Sequence, residues 1–237
     1  MNQLNRVIKF QNYDFHKSVK SFWYTMLLVN ILSYLFFYND LATGAMINDI
    51  NDISIAAANL LTIGIYLLIN WIVMYRENLS LALSFGITRK DYYKSIIINN
   101  IKIGLVFSII QSVLQILDGY MMEYLGYNPL VEFEIFNTVT DNMFFIILAL
   151  FICFSAIISI VNLIGILQFK FGYKLWIGIG VIFVLSQIIV NNFMQNVFTI
   201  FSFINFGRGL LFLILIIISI LAYIIGYSLI KKISIIA

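Results

Sequence analysis

Residues 76–95 read RENLSLALSFGITRKDYYKS and form the longest charged interruption between two apolar runs. A chain that only filled a bilayer has no need of such a stretch. Leu79, Ala82 and Leu83 recur at helical spacing, so residues 77–85 are expected to form a short amphipathic helix lying at the membrane surface. Gly86 supplies a position where a left-handed stop costs little. Thr88, followed three residues later by Asp91, has capping-box spacing and starts a new helix. The stretch therefore predicts helix, sharp turn, helix: a compact knob in water between two spans.

Composition agrees with apolar surroundings. Of 237 residues 62% are hydrophobic and 11% charged, and the mean hydropathy is +0.99, outside the range of soluble domains. Several runs approach the roughly 20 apolar residues that cross about 30 Å of hydrocarbon. They lack the ten-residue alternation of a barrel, so helices span. One cysteine, Cys153, lies inside a span, which leaves no disulfide framework and no paired metal ligands. A single proline and heavy use of Ile, Asn and Lys point to an AT-rich bacterial genome.

Residues 1–21 do not read as a cleaved leader, because the charged region is too long and no small-residue cleavage site follows. On a helical wheel, Leu4, Ile8, Phe15, Val19 and Phe22 share one arc, with Arg6, Lys9, Lys17 and Lys20 opposite. That pattern is a basic amphipathic helix for an anionic leaflet. Six spans follow, at 22–38, 55–75, 96–117, 143–167, 175–190 and 209–230. Lys102 lies near enough to the inner end of the third to snorkel to the headgroups. The loop 118–142 holds Pro129 and five acids, and residues 191–207 are aromatic and amide-rich without the length to cross twice.

Charge tests this threading. With both termini inside, thirteen of the fourteen basic residues fall on the inner side, all but Arg208, while eight of the eleven acids fall outside. The positive-inside rule, which counts Lys and Arg, favours that orientation strongly.

Chemistry is sparse. No G-x-x-x-x-G-K-[ST] loop is present to cradle ATP phosphates. The only histidine, His16, lies on the N-terminal helix, and no H-E-x-x-H or paired intramembrane carboxylates occur. The chain thus reads as a non-enzyme. No titratable group lies near a span centre to couple ions. The polar inventory is amide and hydroxyl: Asn30, Asn70, Gln111, Gln115 and Gln187 are the candidates to line a translocation path. The alternative is that Gln111 and Gln115, four apart on one helix face, bond across helices within the bundle. Small pairs, Ser155 with Ser159 and Ala222 with Gly226, mark close helix approach.

At SFGITRKDYY (84–93), placed between the second and third spans, the chain resembles the cytoplasmic loop of ABC-2 type transporter permeases. The six-span layout extends that resemblance over nearly the whole chain. It implies an all-α transmembrane domain with an N-terminal elbow helix, a cytoplasmic coupling helix and a short re-entrant segment between the fifth and sixth spans. It also implies a separate ABC ATPase carrying ATP and Mg, with no cofactor on this chain, and a second permease copy or sibling as homo- or heterodimer. Arg76, Glu77, Leu81, Phe85, Gly86, Thr88 and Arg89 are then expected to contact the ATPase or shape its seat. Permeases of this size resemble exporters of phenol-soluble-modulin-like peptides and lantibiotic-immunity proteins. The expectation is peptide export across a bacterial plasma membrane, with no nucleic-acid partner. A non-transporting assembly or sensor subunit, and an exporter of drugs, lipids or polysaccharide, remain the alternatives.

Overall fold

Neither Gly nor Pro occurs in residues 1–43, so no residue there favours a helix stop. The computed structural model, which describes residues 3–43, 53–182, 184 and 207–232, accordingly shows one unbroken helix, α1 (Gln3–Thr43). Residues 3–21 are therefore the first half of α1 and not a separate helix, and its apolar, span-length part is His16–Asn39. α2 (Ile55–Val73) starts on Ser54, whose hydroxyl accepts the Ala57 N–H at 3.0 Å. A π turn (Met74–Asn78) carries α2 directly into α3 (Leu79–Ser84). The expected free-standing helix 77–85 is thus a continuation of the second span.

α4 (Arg89–Tyr124) extends well beyond residues 96–117 at both ends. α5 (Met143–Phe171) starts on Asn142, which accepts the Phe145 N–H at 2.8 Å. α6 (Tyr173–Ile182) is apolar but short, and α7 spans Arg208–Lys231. Among the described residues, five helical stretches are long and apolar enough to cross a bilayer, and the molecule is a multi-pass membrane protein. The remainder of 175–190, with Gln187 and residues 191–206, lies outside the described residues.

Side-chain pairings fix which helix ends lie together. Ser95 and Asn99 near the start of α4 meet Gln11 of α1, and Arg89 reaches Lys231 at the end of α7. These share the knob end. At the other end, Ser54 and Asp118 meet, Ile53 bridges to Pro129, and Arg208 pairs with Asp141 at 2.9 Å. α1 and α4 therefore run away from the knob, while α2, α5 and α7 run towards it.

The same far end carries, besides that bridge, a hairpin of β1 (Glu132–Phe133) and β2 (Phe136–Asn137). Phe133 and Phe136 stack there at 4.7 Å. Asn137 accepts the N–H groups of Val139 and Thr140, an Asx-type closure of the turn.

In lipid, helices gain little from hydrophobicity and associate through close packing and buried polar contacts. α5 packs against α2, α4 and α7, and α4 also packs against α1. An aromatic cluster of Phe22, Tyr66 and Phe107 stacks with centroids 4.2 to 5.9 Å apart and ties α1, α2 and α4 together. Gly165 of α5 lies so near α2 that a Cβ would sit 3.0 Å from the Trp71 carbonyl and 2.8 Å from the Tyr75 ring. Ala222 and Gly226 are buried on α7, as is Ser159 on α5.

Candidate functional site

The knob begins where the π turn shifts the register of α2. Leu79 and Ala82 point into the core, while Leu81 is 42% exposed and Phe85 71%. Phe85 closes α3, its N–H bonding to the Leu81 carbonyl at 3.2 Å. Gly86 then adopts φ +76°, the left-handed conformation that a side chain disfavours. Thr88 is the N-cap of α4: its hydroxyl accepts the Asp91 N–H at 3.1 Å and donates to the Asp91 carboxylate at 2.8 Å. The local reading of turn and cap is thus met residue by residue.

Arg76 and Glu77 are both exposed on the outer side of the π turn. Arg89 has a different engagement from the one expected. Its guanidinium donates to the Lys231 carbonyl at 3.4 Å, at the C-terminus of α7, where a cation is favoured. It therefore fastens the knob to the last helix, leaving Phe85 and Leu81 as the free apolar surface.

Beneath the knob lies a root of buried hydroxyls and amides. A π turn leaves carbonyls poorly matched to the regular ladder, and Tyr92 of α4 donates its hydroxyl to the Met74 carbonyl at 3.1 Å. Tyr75 donates to the Asn162 carboxamide of α5 at 2.6 Å. Tyr93 donates to the Tyr223 carbonyl of α7 at 2.8 Å, beside Gly226, and Asn100 donates to the Tyr223 hydroxyl at 2.9 Å. Ser95 and Asn99 both donate to the Gln11 carboxamide of α1, at 3.0 and 2.7 Å. The π turn and the first turns of α4 are hydrogen-bonded to α1, α5 and α7.

The polar residues read as path candidates do not gather in one place. Gln111 is buried and donates to the Ala56 carbonyl at 2.7 Å, a bond across helices. Gln115 is buried with neither end of its carboxamide partnered, and Asn30 is buried on α1. Asn70 accepts from Ser18 at 3.3 Å and lines, with Gln11, Ser18 and Glu77, a polar cavity of about 260 Å³ between α1 and the π turn.

Two features escaped the sequence reading. Asp118, assigned there to the outer loop, lies within α4 at 2% exposure. Its carboxylate accepts the Tyr34 hydroxyl at 2.5 Å and the Ser54 hydroxyl at 2.6 Å, clasping α1, α2 and α4. Gln11 lies on the apolar arc of the N-terminal helix, and its polarity at that position was the available signal. The charge of Asp118 gave the opposite signal, since an acid usually ends a span.

No protein-family model, curated protein or solved structure matches this chain, so the functional reading rests on the site itself.

Proposed function

We propose that this chain is the membrane-spanning permease subunit of a bacterial ABC-2 type exporter. The observation that carries the reading is the knob: Leu81 and Phe85 are exposed at a capped helix-turn-helix whose root is hydrogen-bonded to three other helices. A partner seated on Phe85 can move Tyr75, Tyr92 and Tyr93 and, through them, α5 and α7. The ATPase is a separate polypeptide that binds ATP and Mg, and the permease pairs with a second copy or a sibling.

Six crossings fit this plan. α5 and α7 both run towards the knob, and on this reading one further crossing returns the chain between them, beginning with the short apolar α6. The knob lies in the cytoplasm, on the side that carries most of the Lys and Arg, and the termini share it. The unpartnered carboxamide of Gln115 inside the bundle suits an amphipathic cargo, for which peptide is our reading. Export across the plasma membrane follows from the same scheme.

The test is co-purification with the ABC ATPase encoded nearest to this chain, followed by ATP hydrolysis in vesicles. Phe85→Glu and Leu81→Glu change exposed side chains, so folding should be kept while hydrolysis loses its dependence on the permease. Hydrolysis and cargo movement unchanged by both substitutions would remove the knob from the mechanism.

A further inference from the structure

A cavity of about 330 Å³ lies between α1 and α4, away from the knob's exposed face. Its lining is divided by chemistry. His16, Asn99 and Lys102 contribute polar groups, and Val19, Val106 and Phe107 supply apolar wall. No carboxylate is among the described lining residues. His16, Lys102 and Val106 are exposed, so the cavity opens to the outside of the bundle.

Depth orders these groups. α1 and α4 run in the same direction, and on each the polar residues precede the apolar ones. His16 is the first residue of the span-length part of α1. Lys102 is the only charged residue of α4 between Lys94 and Asp118, and it precedes Asp118 by about 24 Å at the helical rise. Lys102 and His16 lie at one level near the knob end of the bundle, with Val106 and Phe107 one turn further along α4, and against about 30 Å of hydrocarbon that level suits the headgroups. Asn99 is 4% exposed, and its carboxamide oxygen has no partner although its nitrogen is spent on Gln11.

We propose that this cavity is a binding site for one anionic phospholipid. Its phosphate sits between the Lys102 ammonium and the His16 ring N–H, and an acyl chain lies over Val19, Val106 and Phe107. With a neutral glycerol headgroup the phosphate keeps its net negative charge, whereas the quaternary ammonium of choline cancels it. The lipid fills the gap between α1 and α4 at the level where Gln11 already joins them. The site requires only that the chain span a membrane, and it stands apart from the exporter reading.

The purified full-length chain in detergent, titrated with phosphatidylglycerol or with phosphatidylcholine of the same acyl chains, reports on this site by native mass spectrometry. Selective retention of phosphatidylglycerol is expected. Lys102→Gln should weaken it about fivefold, the factor for one cation at a membrane surface. Val106→Trp, which fills the apolar end, should abolish it, and Lys174→Gln should leave it unchanged. Equal retention of the two lipids, or retention unaltered by Lys102→Gln, would overturn the proposal. So would displacement of the lipid by millimolar inorganic phosphate, which would mark a soluble-anion site instead.

Discussion

At the scale of single residues, the knob depends on hydroxyls that each satisfy one specific carbonyl or amide on another helix. Tyr75 is fully buried, and its bond to Asn162 joins the π turn to α5. Tyr75→Phe keeps the ring and removes only that bond, so the expected loss is about 0.6–1.7 kcal/mol, the range for interhelical bonds in membrane bundles. Reversible unfolding in detergent measures it, and a double-mutant cycle with Asn162→Leu should return most of the loss as coupling energy. Additive effects would mean that the two side chains act independently. Asp118 at the far end follows the same logic with three helices, its carboxylate held by one hydroxyl from α1 and one from the cap of α2.

At the scale of elements, the π turn decides which way α3 faces. Five residues wound as π place Leu79 and Ala82 in the core and leave Leu81 and Phe85 outside. Inserting one alanine after Asn78 should turn α3 by about 100° relative to α2. Leu79 then leaves the core, at a cost of about 2 kcal/mol, and Phe85 no longer presents the same face. A fall in thermal stability together with loss of permease-dependent ATP hydrolysis is expected, and an insertion variant with both intact would show that the register does not matter.

The cap at Thr88 and the stop at Gly86 were legible in the sequence because both are local: a hydroxyl three residues from an acid, and a residue without Cβ. The cores of α2, α4, α5 and α7 were legible because each is a long apolar run. The π turn was not, since Tyr92, eighteen residues away, satisfies the carbonyl that the altered register leaves. Gln11 and Asp118 were missed for a related reason, as each is a polar group whose partners come from helices distant in the chain. The continuity of α1 was hidden by its change of composition, which marks where its apolar part begins and not where the helix ends.

At the scale of the whole molecule, helix ends sort into two groups. The knob, the start of α4 and the end of α7 lie at one end, and Ser54, the hairpin and the Arg208–Asp141 pair at the other. A force applied at Phe85 enters the bundle at the end where the π turn and α4 are already hydrogen-bonded to α1, α5 and α7. On the proposed reading, a nucleotide-binding partner covers that surface from the cytoplasm. In a Cys153→Ala background, Phe85→Cys and Val139→Cys place single thiols at exposed positions on the two ends. Labelling with an impermeant maleimide in inside-out vesicles, with and without the ATPase, reads both side and cover. Phe85→Cys should react from the cytoplasmic face alone and be protected when the ATPase is bound, while Val139→Cys stays unreactive. Reaction of Phe85→Cys only after the vesicles are opened, or at the same rate with the ATPase bound, would contradict the account.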